Sequence, residues 1–175
     1  MNMMGLLLII PFFFIRFFLL SFFSQNALLR AAYFAPLNKN EYIAYYIYQI
    51  SNVFLFIYML FLNVNIDFSW QFYTGLFIYI FGILLLTISI VQFALAEDEG
   101  LNTKGIYRLS RNPMYISYFV YFIGCVLLTQ SFLLLLIVMI FQISAHWIIL
   151  SEERWCVQQF QERYIEYMKE VRRYI

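Results

Sequence analysis

The sequence predicts an all-α integral membrane helical bundle of about five transmembrane helices. Three observations carry this. The 175 residues are 64% hydrophobic and only 12% charged. Several uninterrupted apolar runs approach or exceed the ~18 residues that mark a membrane-spanning helix. Lys and Arg fall in every second connection between those runs and are absent from the others. The length is that of one domain, so residues 1–175 are read as a single membrane domain. The formal net charge of +1 offers no basic field for nucleic acid.

The first span covers about residues 4–23. Its apolar stretch is longer than the ~7–15 residues of a signal peptide, and it lacks a basic leader. Pro11 is expected to kink it. Arg16 lies within it, where a charge is costly, and is expected to face protein, to pair or, as the favoured reading, to snorkel to a lipid headgroup. The second and third spans cover about 42–62 and 71–95. The fourth and fifth, about 114–129 and 132–150, are separated only by "TQS", so they form a tight helical hairpin. The connection 24–41 holds Arg30 and Lys39, 96–113 holds Lys104, Arg108 and Arg111, and the tail 151–175 holds five basic residues. The basic connections face the cytoplasm, which sets the N-terminus outside and the C-terminus inside, in a multi-pass protein of a bacterial inner membrane. In the tail, Phe160, Tyr164, Tyr167 and Val171 make one apolar stripe, so a C-terminal cytoplasmic amphipathic helix is expected. Cys125 and Cys156 are too few for a disulfide framework or a metal site and read as packing residues.

The polar chemistry is concentrated on one side. Segments 96–113 and 151–175 hold 8 of the 11 basic and 8 of the 10 acidic residues. The stretch "YRLSRNPMYISY" at 107–118 is too polar for a mere connection. Asn112 and Pro113 suit an N-cap and first helical position. The fifth span ends "SAHWIILSEERW". His146 is the one histidine and shares a helix face with Glu153. Glu152 and Glu153 are expected at the end of that helix, where they oppose the macrodipole and call for cations. The hairpin brings them back beside Arg108 and Arg111. The residues thus describe a cytoplasmic polar pocket of arginines, tyrosines, an amide and carboxylates. No dinucleotide, P-loop, zincin or nucleophile-elbow motif is present.

Three separated patterns carry a resemblance: "G-x-Y-x-x-x-R-N-P-M-Y" at 105–115, Glu152-Glu153 after the hairpin, and "F-x-x-x-Y-x-x-Y-x-x-x-V-x-R" at 160–173. Together they resemble the integral-membrane methyltransferases, which include isoprenylcysteine carboxyl methyltransferase and the phospholipid methyltransferases. The resemblance covers about residues 87–174, so 71–175 reads as a methyltransferase-like core behind the N-terminal helices of 1–70. It implies S-adenosylmethionine as cofactor, no metal, and a lipophilic acceptor arriving from the bilayer. It implies a cofactor site lined by Gln92, the 99–102 segment, Gly105, Tyr107, Asn112, Pro113, Met114 and Tyr115, with Glu152, Glu153 or both on the cofactor's amino or ribose groups. Arg108, Arg111, His146 and Glu153 are the candidates for the reaction itself. Arg108 or Arg154 would face a carboxylate acceptor, and His146 would act as base toward an amine or thiol.

Two departures bear on the acceptor. The prenylcysteine enzymes usually read R-H-P where this chain has Arg111-Asn112-Pro113, which looks more like the phospholipid enzymes. The family often has glycine after the tail phenylalanine, where this chain has Gln161. Two other classes compete. Sterol-reductase-type membrane enzymes share a similar hairpin and use NADPH, whose phosphate Arg108 and Arg111 could clamp. A non-enzymatic membrane protein with a cytoplasmic interaction surface is the third reading.

Overall fold

A computed structural model describes residues 2–23, 25–96 and 101–175. The fold is all-α, as the apolar runs require. Helix α1 (Leu6–Phe13) passes into a π-helical segment at Phe14–Leu19 and continues as α2 (Leu20–Phe23). Then come α3 (Gln25–Ala32), α4 (Tyr42–Phe61), α5 (Trp70–Ala94), α6 (Pro113–Thr129), α7 (Phe132–Phe160) and α8 (Glu162–Glu170). Among the described residues, four stretches are long and apolar enough to cross a membrane: Leu6–Phe23, Lys39–Phe61, Trp70–Ala94 and Phe132–Phe160. Helix α6 is apolar but shorter, at 17 residues.

Several boundaries differ from expectation. The 24–41 connection contains α3. A small antiparallel ribbon joins β1 (Asn2–Met4) to β2 (Asn63–Asn65), with Met3 opposite Val64. It clasps the start of α1 to the end of α4, helped by the Gly5 N–H donating to the Leu62 carbonyl at 2.8 Å. Alternating apolar period gives no hint of three-residue strands. The largest difference is α7, which continues to Phe160 instead of ending near residue 150. Glu152 and Glu153 therefore lie well inside a helix, and the macrodipole argument does not apply to them.

The hairpin turn forms as the sequence predicts. Gln130 takes a left-handed conformation (φ 52°) after α6, and the Ser131 hydroxyl accepts the Leu134 N–H as the N-cap of α7. Helices α5 and α6 pack closely because glycines remove side chains from the seam. A Cβ on Gly82 would sit 2.5 Å from the Tyr121 Cα, and one on Gly124 would sit 2.5 Å from the Tyr79 Cα. Close backbone approach of this kind holds helices together where lipid removes the hydrophobic drive. The phenols of Tyr79 and Tyr121 both donate to the Leu8 carbonyl, fastening α1 to that seam one turn before Pro11. The disturbed helix geometry follows Pro11 directly, and Arg16 lies in it.

The tail stripe folds inward. Tyr164, Tyr167 and Val171 are buried against Leu101, Cys156, Val157, Phe160 and Met168, so α8 packs on protein along its apolar face. Its entry turn is strained. Gln161 has φ 48° and ψ −127°, a region open to glycine and costly for a side chain. A glycine would take this turn without that cost. Gln161→Gly is expected to raise stability by about 1 kcal/mol, read as a higher thermal midpoint of the detergent-solubilised protein.

Candidate functional site

The bundle encloses a cavity of about 740 Å³ between α1, α3, α4, α6, α7 and α8. Tyr107, Arg111, Asn112, Pro113, Met114, Tyr115, Glu152 and Glu153 all line it. The candidate residues of the 107–115 stretch and of α7 therefore meet at one site. Gln92 and Gly105 line a smaller adjoining hollow of about 210 Å³, which shares Leu101 and Asn102 with the large one. Residues 99 and 100 lie outside the described residues. Arg108 is exposed, and neither it nor His146 lines either cavity.

Gln92 anchors the loop that precedes α6. Its Oε1 accepts the Ile106 N–H at 2.8 Å, and its carbonyl accepts the Asn102 side chain at 2.5 Å. Gly105 has φ +59°, and a Cβ there would run into the Gln92 side chain. Both residues thus act on the site through the loop. That loop sets Tyr107 in the cavity wall. Burial pushes the Tyr107 phenol well above its ordinary range, so it stays an O–H donor. Its oxygen is buried and has no partner among the described residues.

The two adjacent glutamates do different work. Consecutive residues on a helix point about 100° apart. Glu152 points to the α6 side, where the Tyr115 hydroxyl donates to its Oε1 at 2.8 Å. Among the described residues no arginine makes an ion pair with Glu152, and a tyrosine holds it instead. Glu153 is 4% exposed and carries the ion pairs. Its Oε1 accepts Arg111 Nε at 3.1 Å and Nη2 at 2.9 Å, with Asn112 Nδ2 at 3.4 Å. Its Oε2 accepts Arg173 Nε at 3.0 Å and Nη2 at 2.8 Å. The expected pairing of a carboxylate with Arg111 is thus present at Glu153, while Arg108 takes no part in it. Arg173, the arginine that closes the 160–173 pattern, is the second partner. Its guanidinium is pushed above its ordinary range by that carboxylate.

These contacts strap the chain's last residues across the loop. Arg111 also donates to the carbonyls of Met168 and Val171, and its backbone N–H to that of Arg172. Ser110 and Asn112 donate to the Arg173 carbonyl. Asn112 is the N-cap of α6 by position, but its side chain serves the strap rather than the helix end. His146 shares this duty: its Nδ1 lies 2.7 Å from the Tyr174 hydroxyl. Arg154 makes a two-pronged pair with Glu41 at the start of α4. Arg16 does not snorkel. It turns into the cavity and donates to the Ala31 carbonyl at 2.9 Å.

The sequence of residues 70–163, more than half of the chain, matches the model of the phospholipid methyltransferase family. The chain belongs to that family. It is a membrane methyltransferase, and the matched segment runs from α5 through the start of α8. No curated protein and no solved structure matches the chain. For this phospholipid methyltransferase family member, the helices before residue 70 therefore come without a template. They nevertheless supply cavity walls, through Arg16 and Arg30 among others.

Removing the buried Glu153 side chain leaves two guanidiniums facing each other. Glu153→Leu is expected to cost about 3–5 kcal/mol and to free the tail for proteolysis. Arg173→Ala, at a more exposed partner, is expected to cost less. Thermal midpoints and limited proteolysis of the two variants check that order.

Proposed function

We propose that this protein transfers a methyl group from S-adenosylmethionine to a lipid-borne acceptor, and that the large cavity holds both. The observation that carries the reading is the half-buried Glu152–Tyr115 pair facing a cavity walled by tyrosines, in a chain of a methyltransferase family. When bound, the cofactor supplies an electrophilic methyl group on a sulfonium cation.

The residues fit such a group. A sulfonium is attracted to a carboxylate and to aromatic faces. Glu152 supplies the first, and Tyr107, Tyr115 and Tyr118 supply the second. The unpartnered Tyr107 hydroxyl offers a hydrogen bond to a polar ligand atom. Tyr115 fixes the Glu152 side chain by its hydrogen bond and so spares a ligand the cost of ordering it. Methyl transfer needs proximity, in-line alignment and exclusion of water, with no protein nucleophile. The apolar walls serve that need.

The acceptor reaches the cavity from the bilayer. Phe13, Phe17 and Val53 belong to two membrane-length helices, line the cavity and are 39%, 54% and 60% exposed. The cofactor enters from the end that carries 101–113 and the tail, which we assign to the cytoplasm from its basic residues. The acceptor of this reading is a lipid amine, in keeping with the Arg111-Asn112-Pro113 form of the motif. Glu153 and Arg111 act by holding the strap, because the acceptor oxygens of Glu153 are already taken.

Calorimetry on the detergent-purified protein tests the assignment. S-adenosylmethionine and its demethylated product are expected to bind in the micromolar range, and NADPH is expected not to bind. Glu152→Ala and Tyr115→Ala are expected to abolish that binding while the protein remains folded. Tyr107→Phe removes a buried hydroxyl without a protein partner. It is expected to weaken cofactor binding while leaving unliganded stability equal or higher by up to about 1 kcal/mol. Normal binding by all three variants would refute the site. Binding of NADPH alone would move the protein to the reductase class.

A further inference from the structure

The assignment above leaves two cations of the same cavity without a task. Arg16 and Arg30 both line it, and both precede the segment that matches the family. Arg16 lies in the π-helical turn of a membrane-length helix, where an unpaired charge is expensive. Its guanidinium has five donors. Two of its nitrogens meet neutral acceptors, the Ala31 carbonyl at 2.9 Å and the Met114 sulfur at 3.8 Å. Arg30, on α3, donates Nη2 to the Phe93 carbonyl at 3.2 Å and lies 5.1 Å over the Phe93 ring. Its Nε is buried with no partner. Among the described residues neither arginine forms an ion pair, whereas Arg111, Arg154 and Arg173 all do.

Arginines held inside an apolar cavity with donors to spare suit an anion with several oxygens, because the guanidinium fork matches phosphate and carboxylate geometry. The same cavity carries Glu152. It therefore presents two guanidiniums that make no ion pair among the described residues, in the same cavity as Glu152, whose charge acts on Arg16. The phosphate of a lipid headgroup satisfies both arginines, while Glu152 stays with the cofactor's cation.

We propose that Arg16 and Arg30 form an anion subsite for the phosphate of the lipid acceptor, which holds the headgroup amine beside the cofactor site at Glu152 and Tyr115. This rests on the cavity's being the acceptor's binding site, as read above. The N-terminal helices then serve as the headgroup reader of the protein. Met114 ties Arg16 to the first turn of α6, next to Tyr115, so the subsite adjoins the groups assigned to the cofactor.

Native mass spectrometry of the detergent-purified protein tests this with two lipids of equal acyl chains, dioleoylphosphatidylethanolamine and dioleoylglycerol. The unaltered protein is expected to retain the phospholipid at least about tenfold better. Arg16→Gln is expected to bring the two within about twofold, Arg16→Lys to restore part of the preference, and Arg30→Gln to reduce it less. Calorimetric binding of S-adenosylhomocysteine is expected to be unchanged in all three. No headgroup preference in the unaltered protein overturns the proposal without reference to any variant. So does a preference that survives both Arg16→Gln and Arg30→Gln. Loss of S-adenosylhomocysteine binding with the lipid preference intact would assign the arginines to the cofactor's carboxylate and overturn the lipid subsite. A protein that fails to bind S-adenosylhomocysteine yet loses its lipid preference in Arg16→Gln would support the subsite while refuting the cofactor assignment.

Discussion

One buried carboxylate organises the polar end of this bundle. Glu153 receives four guanidinium N–H bonds, two from Arg111 and two from Arg173. Through them it joins three segments that are far apart in sequence: the final third of α7, the loop before α6 and the last residues of the chain. Burying one charge between two is unfavourable in itself. It is tolerated because Arg111 also satisfies the carbonyls of Met168 and Val171, which would otherwise end α8 unpaired. The arrangement fixes the direction in which Glu152, one residue earlier, must point.

That division between neighbours shapes the cavity. Glu153 is spent on architecture, and Glu152 is left with a single tyrosine. His146, Arg154 and Asn112 are likewise engaged in structural contacts with the tail or with α4. The groups with capacity to spare are Glu152, the Tyr107 hydroxyl, Arg16 and Arg30. A ligand is recognised by such groups, since a hydrogen bond already satisfied within the protein has little to offer it.

Much of this was legible in the sequence, and the failures have physical causes. Apolar run length marked the helices, because lipid demands internally bonded backbone. The "TQS" turn and the Asn112-Pro113 helix start were read from local turn and cap chemistry. The meeting of 107–115 with the end of the fifth span followed from the hairpin. Polarity was a poor guide to where α7 ends: the "SEERWCVQQF" segment reads as a tail, yet buried Ser151 and Glu153 continue the helix. Which glutamate takes an arginine depends on a 100° difference in direction that composition does not contain. Arg173 and Glu41 became visible as partners only when the chain ends and α4 were brought against α7. Arg16 was expected at the surface because snorkelling is the common outcome for a lone arginine, and a cavity large enough to receive it leaves no local mark in sequence.

The length of α7 has one more consequence. Its 29 residues span roughly 43 Å, well beyond the ~30 Å hydrocarbon thickness. Glu152 lies about 30 Å along the helix from Phe132, so if α7 begins at one face of the hydrocarbon, Glu152 sits near the other. The cavity then straddles the boundary between oil and water. A water-soluble reagent and an acyl-chain-bearing one can each arrive by its own phase and meet there, and neither has to be extracted into the solvent of the other.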